Sequence, residues 1–175
     1  MLRTQAVSGN LNTVRTPVAA SVGIVNGDAI IEVSGVGTPA ANLTTTGLTT
    51  LALMQAAVHD AFLGISLDQR LASQDKAGNI LTATAGRFSM PCADSASAYN
   101  IGQLFGFNGT LANSVYTPKN QEVVAVASEY LAIGRVAKAV AAHATTVELE
   151  IVSTMLTGGP QAAEAAAASG SGSGS

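Results

Sequence analysis

The chain has 175 residues, of which 47% are hydrophobic and only 11% are charged, with a formal net charge of −3 at pH 7. This length and apolar content predict one ordinary folded domain and argue against global disorder. The eight basic residues are scattered along the chain, which argues against nucleic-acid binding, because no cluster of them could neutralise several neighbouring phosphates.

The low charge also argues against a solitary, well-hydrated monomer. A globular domain usually contains about 25% charged residues, and a chain with far fewer has little to keep it in solution. No apolar run reaches the roughly 18 residues of a membrane span, and the first residues, MLRTQAVSGN, lack the apolar core of a signal peptide. The composition therefore predicts burial against copies of the chain or against a larger partner.

The N-terminal segment, residues 1–20, is polar and rich in Thr, Asn and Ser. It indicates an extended arm that orders only against a neighbour, or else a frayed terminus. Pro17 has no N–H to donate to a ladder, so a central strand position is excluded there.

Asn26-Gly27 lies between two short apolar runs, residues 22–25 and 29–33. Both central positions of a type I′ turn need positive φ, which Asn and Gly tolerate. The pair therefore predicts a hairpin, or at least a sharp turn between strands. Residues 35–47 are rich in Gly, Pro and Thr and indicate a loop.

One helix is predicted around residues 47–60, with Thr45 or Thr46 as its cap. Its apolar residues recur at steps of three and four, and they are Leu48, Leu51, Met54, Val58 and Ala61. Residues 62–67 follow as a buried strand, and residues 69–79 form a polar loop.

From Ile80 onward the pattern is one of short strands. We predict them over residues 80–86, 87–92, 100–111, 123–127, 130–140 and 146–152. Asn108-Gly109 indicates a turn inside the third of these segments. Gly134 indicates a bend or a bulge in the fifth.

The final strand, residues 146–152, alternates apolar and acidic residues, as an antiparallel strand with one buried face does. Its apolar members are Val147, Leu149 and Ile151, and its acidic members are Glu148 and Glu150. The chain is therefore predicted to be mainly β, a small β-barrel or β-sandwich-like domain of short antiparallel strands over residues 21–156. Residues 157–175, TGGPQAAEAAAASGSGSGS, predict a flexible Ala/Gly/Ser-rich tail that serves as a linker.

No catalytic, cofactor-binding or metal-binding residues are predicted. Cys92 is the one cysteine of the sequence, has no CxxC partner and lies far along the chain from both His59 and His143. No zinc-site spacing therefore occurs, and the free thiol fits folding in a reducing cytosol. Ser66 does not lie in a GxSxG elbow.

Acidic and glycine-rich positions predict no site either. Asp60 and Asp68 flank a predicted strand, which would hold them about 25 Å apart at ~3.3 Å per residue. That is too far for a carboxylate pair acting on one substrate bond. No stretch matches a glycine-rich phosphate loop. A site that the fold assembles around His59 and Asp60 stays open, with a solvent-facing helix end as the ordinary alternative.

Four segments together share an order with a known family. The clearest is residues 121–156, QEVVAVASEYLAIGRVAKAVAAHATTVELEIVSTML, where two short strands lead through a small-residue turn to a closing alternating strand. The others are GDAIIEVSGVGTPA (27–40), AAVHDAFLGISLD (56–68) and ILTATAGRFSMPCA (80–93). In this order they resemble bacteriophage capsid cement, or decoration, proteins, and the resemblance covers residues 11–156.

The resemblance implies a compact fold of the β-tulip type, usually a homotrimer, bound to the major capsid protein on the outside of a phage head. It implies a structural virion protein that stabilises the capsid lattice and folds in the cytoplasm of the bacterial host. It also implies no enzyme activity, cofactor, nucleic acid, membrane or small-molecule substrate. The predicted helix and the loop at residues 69–79 depart from shorter family members and indicate lattice-specific contacts or a related role.

Two other classes of protein stay open. Another self-assembling structural protein, such as a shell, tail or scaffold component, would form closed particles or filaments without a partner. A small enzyme or ligand-binding barrel would require convergent polar groups in a pocket, and His59, Asp60 and Cys92 gathered in one cleft would favour it.

Overall fold

The computed structural model describes residues 3–157; of the predicted tail, residues 158–175 lie outside this range. Within it, a nine-stranded antiparallel sheet curls into a nearly closed barrel. The strands are β1 (Gln5–Val18), β2 (Ala29–Val33), β3 (Val36–Pro39), β4 (Phe62–Ser66), β5 (Gly78–Pro91), β6 (Leu104–Ala112), β7 (Val115–Ala125), β8 (Gly134–Val136) and β9 (Thr146–Val152). The other elements are helices α1 (Leu51–Ala61) and α2 (Thr154–Thr157) and 3₁₀ turns at Ala40–Asn42 and Glu129–Leu131. The predicted mainly-β, barrel-like class with one helix near residues 47–60 is confirmed.

The barrel closes through strands that are far apart in the sequence. The sheet order is β3-β2-β4-β5-β9-β8-β6-β7, with β1 paired to β5. At the far end, β7 returns to the chain just after β5, where Cys92 and Val123 form an isolated parallel bridge. The Ala93 N–H donates to the Val123 carbonyl there at 3.0 Å. This contact is only one bridge long, so the gap between β5 and β7 stays partly open. We call this gap the seam.

The barrel interior holds the large apolar side chains. Every second residue of β9 is buried, and Glu150 lies outside, opposite Arg87 of β5 and Arg135 of β8, so the predicted alternation is confirmed. The four phenylalanines of the centre are Phe62, Phe88, Phe105 and Phe107. Tyr99 meets Phe105 edge to face, with ring centroids 4.9 Å apart, a geometry that aromatic quadrupoles favour.

A second, smaller core lies on the other face of β2 and β4. Its members are Val18, Ile24, Ile30, Leu63 and Ile80. β4 lies between the two cores, and all five of its residues are buried. The prediction of a buried strand at this position is confirmed.

Helix α1 begins later than its apolar periodicity indicates. Thr50 is the cap, because its hydroxyl accepts from the Leu53 N–H at 3.2 Å, so the predicted caps at Thr45 and Thr46 are wrong. Residues 45–48 instead form a turn closed by the Leu48 N–H and the Thr45 carbonyl at 3.0 Å. Met54 and Val58 face the barrel core as predicted and are buried.

The predicted hairpin around Asn26-Gly27 is wrong, although the pair does form a turn. Ile24, before the turn, bridges to Arg70 rather than to β2. β2 pairs with β3 on one edge and with β4 on the other, so both of its edges are taken. One of these two partners, β3, lies within residues 35–47, where a loop was predicted.

The predicted turn at Asn108-Gly109 is also wrong. β6 passes through both residues, and the chain reverses at Asn113-Ser114, where both φ values are positive, 51° and 62°. The two strands predicted between residues 80 and 92 form the single strand β5, because β1, β4 and β9 all pair along it.

The strands predicted over residues 123–127 and 130–140 differ in extent. β7 starts well before residue 123 and ends at Ala125, while β8 covers three residues. The guanidinium of Arg135 pairs with the carboxylate of Glu129 and fixes a 3₁₀ turn where the longer strand was predicted.

The predicted N-terminal arm, residues 1–20, contributes β1 to the sheet of its own chain. β1 pairs with β5 from Gln5 opposite Ser89 to Val18 opposite Gly78, with three register shifts. Residues 5–18 are thus ordered by a strand of the same chain, whereas their composition predicted order against a neighbouring molecule or a frayed terminus.

Candidate functional site

A cleft of about 950 Å³ lies at the open seam between β5 and β7. Its walls come from the chain after β5, the middle of β7, the turn before β2, the segment before β1 and the residue before β9. The polar side chains that line it include Asp28, Lys119, Asn120, Gln121 and Glu122, and Cys92 contributes its thiol.

The cleft is shaped by a bulge in β7. The ladder between β6 and β7 pairs Phe107 with Val123 and then Gly109 with Pro118. Residues 119–122 of β7 therefore lie opposite one residue of β6, and we call them the β7 bulge. Extra residues of this kind bend a strand and redirect its side chains, and here they direct four polar side chains toward neighbouring elements.

Gln121 of the β7 bulge joins three parts of the chain. Its side-chain amide accepts from the Thr4 N–H at 3.2 Å and donates to Asp28 Oδ1 at 2.9 Å. The second oxygen, Asp28 Oδ2, accepts from the Val25 N–H at 2.8 Å. Asp28 is only 5% exposed, and these donors supply the hydrogen bonds that a buried carboxylate needs.

We expect Asp28→Asn to lower the free energy of unfolding by about 1–3 kcal/mol, because an amide nitrogen cannot accept the hydrogen bond that it replaces. Urea unfolding followed by fluorescence or circular dichroism measures the change. Asp75→Asn, at an exposed position, is the matched control and should stay within about 0.5 kcal/mol of the wild type. Equal effects of the two substitutions would contradict the role given to Asp28.

The other members of the β7 bulge bind β6 and the first 3₁₀ turn. Asn120 Oδ1 accepts from the Ala41 N–H at 2.6 Å. Glu122 Oε1 accepts from Lys119 Nζ at 2.7 Å and also from the side-chain amide of Asn108. Partial burial raises the pKa of Glu122, but the two hydrogen bonds and the Lys119 charge outweigh it and leave the pKa below its ordinary value. The carboxylate is therefore ionised at neutral pH.

Cys92 lines the cleft with a buried thiol. Its Sγ donates to the Ala144 carbonyl at 3.2 Å, and the residue is 8% exposed. Burial first, and then the charges of Glu122 and Asp94, raise the pKa of the thiol above its ordinary value. The thiol is therefore protonated at neutral pH and packs as a small apolar group. Its reactive form, the thiolate, is scarce there.

Cys92 should therefore react slowly with iodoacetamide in the folded protein at neutral pH. The rate should rise only when the pH exceeds the ordinary pKa of a cysteine thiol, because the raised pKa of Cys92 keeps the thiolate fraction low below that pH. Mass spectrometry of timed samples measures the modification, and the same chain in denaturant is the control. Folded and unfolded chains that react equally fast would contradict this prediction.

His59 and Asp60, which the sequence left open as a site, lie on α1 and do not line the cleft. His59 is buried at 6% exposure, so a solvent-facing position is wrong for this residue, whereas Asp60 is exposed. His59 Nδ1 lies 3.3 Å from Asp60 Oδ1. The structure does not bring His59, Asp60 and Cys92 together in one cleft.

The second histidine, His143, lies near the rim of the seam. Its Nδ1 is 3.1 Å from Asp94 Oδ1, and both side chains are exposed. Across residues 3–157, no three His, Cys, Asp or Glu side chains are grouped so as to hold a metal ion. Neither helix of that range has the length and apolar character to cross a bilayer.

Sequence reasoning missed the residues that build this cleft. Asp28 and Gln121 are 93 positions apart, and the β7 bulge depends on the register of a hairpin whose turn was placed elsewhere. No local pattern marks such contacts, since each needs a partner that only the folded sheet supplies.

The chain was compared with protein-family models, curated proteins and solved structures, and none of these matches it.

Proposed function

We propose that the protein is a structural virion protein that binds the outer surface of a phage capsid as a homotrimer and stabilises the capsid lattice. The observation that carries the proposal is that the chain has few charged residues and exposes several large apolar side chains to solvent. Within residues 3–157, five of these side chains are more than half exposed, namely Leu71, Ile101, Leu111, Tyr130 and Leu156.

These apolar side chains lie at the connections and ends of the barrel strands. They belong to the loop after β4, the turn before β6, the tip of the β6–β7 hairpin, the second 3₁₀ turn and α2. Single exposed apolar residues are normal on any protein. On a chain with only 11% charged residues, they favour a surface that is covered in the working state.

The loop at residues 69–79 is suited to contact a partner, because hydrogen bonds within the loop hold its conformation. Arg70 is 9% exposed, and its guanidinium donates to the carbonyls of Gln74 and Lys76. Leu71 lies beside it at 58% exposure. A loop held in this way loses little conformational entropy when it docks against a partner.

The polar groups of the cleft are bonded to one another. Its buried carboxylate, Asp28, is fully used by Gln121 and by the turn before β2. The thiol of Cys92 is held neutral, and Glu122 is paired with Lys119. Groups that satisfy one another in this way stabilise the seam.

Each copy of a cement protein needs only a modest affinity for the capsid. Many copies on one lattice act as a multivalent layer, so weak individual contacts add up. At about 25 cal/mol per Å² of apolar area, an interface of standard size supplies the driving force before association entropy is subtracted.

Two measurements test this proposal. Size-exclusion chromatography with light scattering should give the mass of a trimer. Sedimentation with purified phage heads should show saturable binding to expanded heads and none to unexpanded ones. A clean monomer that ignores both kinds of head would overturn the proposal. Negative-stain images of closed particles or filaments formed without heads would instead favour a self-assembling shell, tail or scaffold protein.

A further inference from the structure

Three side chains between β6 and β7 form a set with a chemistry of its own. Lys119 carries a primary amine, Asn108 carries a carboxamide, and Glu122 carries a carboxylate that contacts both of them. An amine and a carboxamide are the two reactants of an amide exchange, and a carboxylate between them can carry the proton that the exchange requires.

The structure places the amine of Lys119 and the carboxamide of Asn108 on the same carboxylate oxygen. Glu122 Oε1 accepts from Lys119 Nζ at 2.7 Å and from Asn108 Nδ2. Both nitrogens contact the same oxygen, so they lie within two hydrogen-bond lengths of each other. The carbonyl oxygen of the amide, Asn108 Oδ1, accepts from the Gly109 N–H at 2.9 Å. This backbone donor polarises the carbonyl and can stabilise negative charge that develops on its oxygen.

The fold holds these groups in place. Asn108 lies where the pairing of β6 with β7 shifts register, and Lys119 and Glu122 are the two ends of the β7 bulge opposite it. The bulge is itself fixed by the hydrogen bonds of Asn120 to Ala41 and of Gln121 to Asp28. Restricting the reactants in this way raises their effective concentration, which is a large part of intramolecular rate enhancement.

We propose that Lys119 and Asn108 join in an isopeptide bond that cross-links β6 to β7, with Glu122 as the catalytic proton carrier. The Glu122 carboxylate removes a proton from the Lys119 ammonium, and the neutral amine attacks Asn108 Cγ. The tetrahedral oxyanion on Oδ1 is held by the Gly109 N–H. Glu122 then passes this proton to Nδ2, the Cγ–Nδ2 bond breaks and ammonia leaves. The departing ammonia takes the second proton from Nζ and leaves as ammonium, as the new Nζ–Cγ amide forms.

The reaction balances without any oxidant, reductant or cofactor. One C–N bond breaks and one forms, and the chain loses one molecule of ammonia. The cross-link would close the β6–β7 hairpin covalently near its bulge. This inference does not depend on the capsid proposal, because it concerns the covalent state of the chain itself.

Trypsin digestion of the full chain tests the proposal directly. The sequence has Arg87, Lys119 and Arg135 as the consecutive trypsin sites of this region. An acylated Lys119 is not cleaved, so the cross-linked protein should yield one peptide, residues 88–135, lighter than its sequence mass by one ammonia. Recovery of peptides 88–119 and 120–135 in full yield from protein denatured before digestion would overturn the proposal.

The readout separates the cross-link from a second source of ammonia loss. Asn108 precedes a glycine, and a succinimide at such a pair also releases ammonia. A succinimide leaves Lys119 free, so trypsin would still cut after residue 119, and that pattern would refute the isopeptide bond. Fragmentation of the uncut peptide should show Lys119 attached to Asn108.

Substitutions assign the roles of the three side chains. Glu122→Gln and Lys119→Arg should each abolish the ammonia loss and restore cleavage after residue 119. Lys138→Arg is the matched control, since Lys138 lies 3.8 Å from Glu148 in an ordinary ion pair, and it should leave the cross-link intact. Ammonia loss that persists in Glu122→Gln, with folding verified by circular dichroism, would refute the role of Glu122.

Discussion

Replacing Phe105 with alanine is expected to lower the free energy of unfolding by about 3–5 kcal/mol. Phe105 is fully buried at 0% exposure, lies on β6 in the middle of the barrel and packs edge to face on Tyr99. Its removal takes away both apolar burial and an aromatic contact, and it leaves a cavity that the rigid barrel wall cannot fill. Chemical denaturation with fluorescence or circular dichroism measures the loss.

The same strand offers a matched control for Phe105. Leu111 also belongs to β6, but it is 55% exposed near the hairpin tip. Leu111→Ala should therefore change the free energy of unfolding by no more than about 0.5 kcal/mol. Similar losses for the two substitutions would mean that the barrel core does not lie where the structure places it.

Gly64→Ala is expected to lower the free energy of unfolding by about 3 kcal/mol or more. Gly64 has a φ of 156° on β4, and a Cβ there would overlap the backbone carbonyl of Ala83 on β5. A backbone atom cannot turn aside as a flexible side chain can. Relief would require β4 to separate from β5, where Ile65 pairs with Ala83 and Ser66 pairs with Thr82.

Gly47→Ala separates the steric overlap from backbone strain. Gly47 has a φ of 84°, and a Cβ there would meet no atom within 4 Å. Only the conformational cost remains, about 1–2 kcal/mol. A melting temperature for Gly64→Ala equal to that of Gly47→Ala would contradict the close approach of β4 and β5.

Local patterns predicted those elements whose environment follows from their own residues. The alternation at residues 146–152 predicts β9, because one face of that strand packs on the core while the other meets solvent. The apolar run at residues 62–67 predicts β4 because both of its faces are buried. The periodicity near residues 47–60 predicts α1 because its apolar face, with Met54 and Val58, packs on the barrel.

The same local reasoning failed where a distant strand decides the outcome. Asn26-Gly27 is a turn as predicted, but β4 takes the edge of β2 that a hairpin would need. Asn108-Gly109 has a turn sequence, yet β7 pairs across it and moves the reversal to Asn113-Ser114. Turn propensity is a small local preference, and a ladder of backbone hydrogen bonds overrides it.

The mainly-β class, strands β4 and β9, helix α1 and the scarcity of charge follow from the amino-acid sequence. The seam, the cleft and the meeting of Asn108, Lys119 and Glu122 arise only when the sheet closes. The difference lies in how far apart along the chain the contacting residues are. Periodicity reports the immediate surroundings of each residue, whereas a contact such as that of Thr4 with Gln121, 117 positions away, exists only after the sheet has closed.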